Sequence, residues 1–370
     1  MANEGLFDIV AGNPPYISTR NMSNEVKDLY KNSYTLAHGQ YDLFILFIEK
    51  SNTLLNNNGI LSFIVPKKLL SNENFKKARE FLLKNLPIST YLDAQMPFES
   101  AAVEANVIIS SRKETEYVKT YIYESGQINH NFDVDNKLIS LMPFNIFPFA
   151  INPKNVLILD KILHKTKNKF ENYVEIIRGM ECGFNHNSIS KDIGNHKIIK
   201  GEHIDKYLIK PTDWYVNSKL CEKKIIKSEN TYQTTPKLVT KFISNSLDFA
   251  LDEVGYYNTN VVYNVLIKNE FCQYLKFFLG LCNSKLINFW FFNTYVNDDK
   301  LFPHIQKNQL DSIPVILPND IKPFEILVNE ILQKKKENPQ ADVSEVEKKI
   351  NEMVYALYGV SAEEVGVIEG

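Results

Sequence analysis

Four residues near the start of the chain, Asn13-Pro14-Pro15-Tyr16, have the types and order needed to fix hydrogen-bond acceptors in space. Two consecutive prolines hold φ near about −65° and remove two backbone donors, so the local carbonyls are left free. The amide of Asn13 and those carbonyls are therefore rigid acceptors beside an aromatic ring. They close the apolar run Leu6-Phe7-Asp8-Ile9-Val10-Ala11-Gly12, which reads as a buried strand running into a loop. Open α/β sheets hold their ligands at this end of a strand. Asn and Pro are also ordinary turn formers, so a strand-ending turn without chemistry is the competing reading.

The elements that must position this loop follow in order. Residues 17–40 are polar and weakly periodic, a long loop or loose helix of the length of a lid, or else a surface insertion. From Tyr41 apolar residues fall at helical spacing, and Asn56-Asn57-Asn58-Gly59 reads as the helix stop. Ile60 to Val65 reads as a strand, 72–85 as an amphipathic helix, and Ile88 to Leu92, Asn106 to Ile109 and Tyr117 to Tyr123 as further strands. Alternating strands and helices predict an α/β sheet. The short link from Ala94 to Ala105 predicts an antiparallel hairpin at one edge rather than a helical crossover. Residues 125–150 lack a regular period and read as a domain boundary. Beyond them come a helix over 155–169, short strands and loops to about residue 265, and helices near 271–281 and 285–292. Helical spacing over 320–358 predicts a hairpin of two helices.

Composition narrows the class. The 370 residues are 44% hydrophobic and 12% aromatic, enough for packed cores and unlike a disordered chain. Cys182, Cys221, Cys272 and Cys282 have no CxxC or His-paired spacing, which predicts free thiols in a reducing compartment and no zinc site. No apolar run approaches the roughly 18 residues of a membrane span and no signal peptide is evident, so the expected location is cytoplasmic. The net charge of −2 is uneven: residues 151–318 hold 22 basic against 17 acidic residues, while 319–370 hold 6 against 11. A basic middle suits a polyanion partner.

Phe7 to Tyr16 resembles motif IV of the adenine-specific DNA methyltransferases of restriction–modification systems. Tyr41 to Glu49, Asn58 to Pro66 and Met96 to Glu104 resemble the segments that follow it in that family, the last being motif VIII. Ile176 to Asn185 and the stretch through Pro303-His304 are similar to its target-recognition domain. The resemblance implies an α/β fold: the C-terminal half of a Rossmann-like methyltransferase sheet over 1–125, a linker over 126–150, an α+β target-recognition domain over 151–318, and a helical tail over 319–370. It implies methyl transfer from S-adenosylmethionine to an adenine flipped out of double-stranded DNA, with no metal required. Asn13 Oδ1 and the Pro14 carbonyl would accept the two amine hydrogens, and Tyr16 and Phe98 would stack on the base. Asn13 would also border the methyl donor. Candidates for DNA contact in the basic middle are Arg178, Asn185, Lys200, Lys237, Lys241 and Lys300, with Asn258 and Asn260 for base edges.

The family binds its donor with a glycine-rich turn and an acidic strand end that come before motif IV, and neither precedes residue 6 here. The expectation is a truncated product or a split enzyme, partnered by a separate N-terminal methyltransferase half or a nuclease subunit. The chain alone would then bind S-adenosylmethionine weakly or not at all. The strand before Asn13 would expose a hydrophobic edge. Two further readings stay open: an inactive DNA-binding or specificity module, and a methyltransferase acting on RNA or on protein glutamine.

Overall fold

Strand β1 (Phe7–Gly12) delivers the chain to Asn13, and among the described residues it pairs with one other strand. The computed structural model describes residues 7–95, 104–191, 193–222, 225–226, 228–295 and 304–370. The chain divides into two compact units, Met1–Asp160 and Lys161–Gly370.

In the first unit β1 is followed by helices α1 (Asn24–Ser33) and α2 (Phe44–Leu54), then β2 (Leu55–Pro66), α3 (Lys76–Asn85), β3 (Ile88–Asp93), β4 (Ala105–Ser111), β5 (Tyr117–Glu124), β6 (Gln127–Asp135) and the short helix α4 (Asn136–Leu141). Helix α5 (Pro153–Lys165) contains the division between the units. The sheet is six-stranded, in the order β1-β2-β4-β3-β5-β6. β1 runs parallel to β2 and β3 parallel to β5, while β2–β4, β3–β4 and β5–β6 are antiparallel. The fold is thus mixed α/β with a Rossmann-like portion. The antiparallel pair expected at an edge is real, but β3 and β4 lie inside the sheet.

Two other expectations change. Asn56 to Gly59 do not stop a helix in a turn; they belong to β2, where the pairing with β1 jumps from Phe7↔Leu55 to Ile9↔Ile60. Gly59 is needed in that excursion, since a Cβ there would lie 2.8 Å from the Leu55 side chain and 3.0 Å from the Phe7 carbonyl. Arg112 fixes it from β4's end by donating to the carbonyls of Asn52, Leu55 and Asn56. The stretch read as a linker also carries structure: β6 pairs with β5 along its length, and α4 follows. Inside the unit, α2 buries Phe44, Ile45 and Ile48, each stabilising by roughly 1.5–3 kcal/mol. Phe44 packs 5.1 Å from Phe75. Arg79 is fully buried, and its guanidinium donates to the carbonyls of Leu69, Asn72 and Phe144.

The second unit contains two four-stranded sheets. In chain order its principal strands are β7 (Val174–Arg178), β8 (Ile189–Lys191), β9 (His196–Ile199), β10 (Trp214–Val216), β11 (Lys237–Lys241), β12 (Phe249–Asp252), β13 (Tyr257–Asn258) and β14 (Val262–Ile267). One sheet is antiparallel in the order β12-β11-β14-β7, and the other runs β13-β9-β10-β8. Helices α6 (Leu275–Asn283), α7 (Lys285–Thr294), α8 (Lys322–Glu337), α9 (Ser344–Tyr358) and α10 (Ala362–Glu369) complete it. The two helices expected over 320–358 are present as α8 and α9, and a third, α10, follows them, closed at its start by a reciprocal Ser361–Glu364 cap. α8 packs on α6 through Phe277 and Phe324, 5.0 Å apart. Among the described residues no helix is long and apolar enough to cross a membrane.

Candidate functional site

The register of the first sheet brings three strand ends to one edge. Gly12 pairs with Phe63, Pro66 with Ala105 and Asp93 with Asn106, so β1, β2 and β3 finish where β4 begins. The chain leaves β1 there as Asn13-Pro14-Pro15-Tyr16. Pro14 is buried, Pro15 and Tyr16 are half-buried, and Asn13 is exposed. Among the described residues the Asn13 side chain has no hydrogen-bond partner, so its amide is available to a ligand. Pro14 anchors the loop while Asn13 faces outward.

Tyr16 is fixed by its neighbours. Its hydroxyl donates to the Ile64 carbonyl of β2 at 3.0 Å, and its ring meets Phe44 edge-on at 6.1 Å. Burial pushes its phenol up to about 12, so it stays a neutral donor at physiological pH. The chain beyond is tied down as well: Leu43 N–H donates to the Ile17 carbonyl at 2.9 Å, and Ser18 bridges Asp42. Asp42, at the foot of α2, is buried and ion-paired with Lys68. A cavity of ≈ 250 Å³ opens beside it, lined by Ser18, Arg20, Gln40, Asp42, Lys68 and Phe75 among others. Residues 24–33, within the expected lid, form α1.

Phe98 lies outside the described residues, as does Lys300. The described flanks of the Phe98 segment, Gln95 and Ala105, are joined by a 3.0 Å backbone hydrogen bond at the same sheet edge as Asn13. The residues needed for S-adenosylmethionine are a different matter. Among the described residues of this unit no strand runs into a glycine-rich turn: Gly12, Gly39, Gly59 and Gly126 stand singly. The outer edge of β1 has no partner among the described residues, and Phe7 and Ile9 are 50% and 63% exposed. These described residues present an exposed amide beside a pinned tyrosine and include no glycine-rich turn after a strand.

The DNA-contact candidates fall in the second unit with unequal environments. Arg178 ends β7 and is exposed, with its guanidinium 4.5 Å from the Phe242 ring and its Nε donating to the Asn260 carbonyl. Asn185 is exposed. Lys200 lies 4.8 Å over the Phe184 ring and pairs with Glu202 at 2.8 Å, and this hydrogen bond lowers the Glu202 carboxyl below its usual range. Lys241 pairs with Asp248 at 2.8 Å. Lys237 is a correction. Its ammonium is fully buried, paired with Asp252 at 2.7 Å and donating to the Tyr232 carbonyl, so it holds the sheet together and does not face a phosphate. Asn258 is likewise buried, in a reciprocal amide pair with Asn264, and reads no base edge.

Sequence reasoning missed Phe242 and His304, which stack at 4.9 Å and 22°. The available signal was an aromatic directly after the strand Lys237–Lys241, where the chain leaves the sheet. Gly179 makes this corner possible, because a Cβ there would come within 2.3 Å of Asn258 and of the Thr259 carbonyl.

Residues 1–98 match the Eco57I restriction-modification methylase family, and residues 196–315 match the TaqI-like C-terminal specificity domain. The type II restriction enzyme and methyltransferase RM.Eco57I of Escherichia coli is 37% identical over 103 residues, which is 27% of this chain and 10% of that protein. The type II methyltransferase M.TthHB8I of Thermus thermophilus is 36% identical over 114 residues, 29% of this chain and 26% of that protein. The aligned stretches take up only 10%, 22% and 31% of the length of the first three curated relatives. The structure of MmeI, a Type IIL restriction-modification enzyme in complex with DNA, superposes with a TM-score of 0.59 at 13% identity, covering 97% of this chain and 55% of that one.

Proposed function

We infer that this chain, an Eco57I-type restriction–modification methylase with a TaqI-like C-terminal specificity domain, is the acceptor-base and DNA-reading portion of a DNA adenine N6-methyltransferase. One observation carries the reading: Asn13 is exposed, and unpartnered among the described residues, at the sheet edge where three strands finish, beside a tyrosine pinned to β2. The exocyclic amine of adenine is a poor nucleophile because its lone pair is delocalised into the ring. Asn13 Oδ1 and the Pro14 carbonyl would accept its two hydrogens and favour a tetrahedral nitrogen with its lone pair facing outward. Two prolines fix the backbone around both acceptors, so only the Asn13 side chain has to turn onto the base. Tyr16 would stack on the flipped base, with Phe98 as the opposing wall. The target is double-stranded DNA, contacted through Arg178, Asn185, Lys200 and Lys241, with Lys300 as a further candidate.

S-adenosylmethionine, the methyl donor of the family, would be held chiefly by elements that the described residues do not supply. A strand added along the outer edge of β1 would cover Phe7 and Ile9. We assign that strand to an N-terminal methyltransferase half. The isolated chain should show no micromolar S-adenosylmethionine binding by calorimetric titration, while the chain joined to such a half should methylate adenine in duplex DNA. Adenine-free duplex gaining label under the same conditions would sink the reading.

The open β1 edge also supports a second reading, a specificity module without activity of its own. It predicts duplex binding with no methyl transfer even when the donor-binding half is supplied. The 196–315 match to a specificity domain supports DNA over an RNA or protein-glutamine substrate.

A further inference from the structure

The corner where β7, β14 and β11 meet holds a cation in an unusual setting. Among the expected DNA-contacting cations in the described residues, Lys200, Lys237 and Lys241 each have an acidic partner. Arg178 is exposed and has none among the described residues. Its guanidinium carbon lies over the Phe242 ring, 4.5 Å from the centroid, and its Nε is committed to the Asn260 carbonyl. Phe242 is held in turn by His304 stacked at 4.9 Å and by Tyr263 edge-on at 6.1 Å. The strand frame fixes the rest: Tyr263 pairs with Arg178, and Phe242 N–H donates to the Val261 carbonyl. With its charged end over a ring and its Nε on a carbonyl, the side chain is held at two points. Nη1 and Nη2 have no hydrogen-bond partner among the described residues and point their donors as a fixed fork.

A phosphate contact does not require this. A phosphate can take the same fork, but it accepts from many directions and a lysine also serves it, so a direction fixed by packing is not needed there. A planar fork of fixed direction matches two acceptors on one base edge, and guanine presents O6 and N7 in the major groove at that spacing. We propose that Arg178 reads a guanine of the duplex target through Nη1 and Nη2, with Phe242 and the Asn260 carbonyl as positioning groups and His304 bracing Phe242. This rests on the reading of the second unit as a DNA-specificity domain.

Selection from a randomised duplex library by the full chain, followed by sequencing of the bound fraction, tests it. The wild-type site should contain a guanine whose preference over other bases falls by roughly 10- to 100-fold in Arg178→Lys, which keeps the charge and loses the fork. Phe242→Leu should weaken discrimination at that same position while leaving the salt dependence of binding unchanged. An unaltered site in Arg178→Lys overturns the proposal. So does Arg178→Ala weakening all sequences alike with a salt slope lowered by about 0.9, the behaviour of a phosphate contact. A wild-type site without guanine overturns it too. A wild-type chain that binds no duplex at all overturns the specificity-domain reading itself, and is seen before any variant is made.

Discussion

At Asn13 the acceptors are set by the main chain: two prolines fix the loop, Pro14 is buried beneath it, and only one side chain has to be correct. At Arg178 the donors are set by side chains: a phenylalanine, a histidine and a carbonyl from three separate segments must all arrive. The frames differ in the same sense. Among the described residues the first sheet ends in an open strand, β1, with exposed apolar residues. The second is braced from within by the buried Lys237–Asp252 pair and the Asn258–Asn264 amide pair. Chemistry that is the same for every target suits a rigid backbone loop. Recognition that must differ between targets suits replaceable side chains on a braced frame.

The largest effect that would sharpen this contrast is at Lys237. Lys237→Ala should cost roughly 3–5 kcal/mol in urea denaturation, because Asp252 is left charged and buried. Lys237→Met with Asp252→Asn should lose much less, since the asparagine oxygen can still accept from the Val254 and Gly255 N–H groups. Duplex binding per folded molecule should keep its salt slope; a slope lowered by about 0.9 would put Lys237 on a phosphate and break the comparison. Next comes Asn13→Ala. In a complex competent for methyl transfer it should slow single-turnover methylation by about 10²- to 10³-fold, with duplex affinity unchanged. A loss of less than tenfold would take the amide out of catalysis.

Tyr16→Phe should be milder, about 1 kcal/mol of stability from the lost hydrogen bond to Ile64. It should also alter the alkaline limb. A phenol held near 12 in the fold, against an ordinary 10, contributes fully below pH 10 and loses that contribution as pH rises towards 12. The wild type should therefore lose stability more steeply than Tyr16→Phe over that window; parallel curves would show the phenol to be unperturbed. The smallest effect is expected from Ile9→Lys. On an exposed position it should change stability by no more than about 0.5 kcal/mol while lowering self-association in light scattering. A destabilisation of several kcal/mol would mean that the β1 edge is not open.

Much of the first unit was legible because its signals are local. The strand Phe7–Gly12 and its loop stand within ten residues, and α2, β2 and β4 carry clear apolar periods. β6 was missed because Ile128, Phe132 and Val134 alternate with asparagines and aspartates that read as loop, on an edge strand exposed along most of its length. Asn56 to Gly59 misled because three asparagines and a glycine are turn formers; Arg112, more than fifty residues away, holds them in the strand. α10 had a readable sign in Ser361 and Glu364. In the second unit the decisive partners are distant. Nothing around Lys237 announces Asp252 across the strand pair, and Arg178 meets Asn260 from 82 residues away. Residue type suggested a DNA-facing lysine; a central strand covered on both faces made it a structural one.

The reciprocal pair Asn258–Asn264 has a bearing on how such a protein diversifies. Each amide donates to the other from inside the unit, at 2.8 and 3.0 Å, joining β13 to β14 beneath the corner that presents Arg178. Register is thereby decided by residues buried away from the surface. The exposed positions 178, 185 and 304 can drift through many side chains while the strands above and below them keep their alignment. A lineage under pressure to change its target can then do so by single steps, each intermediate still folded.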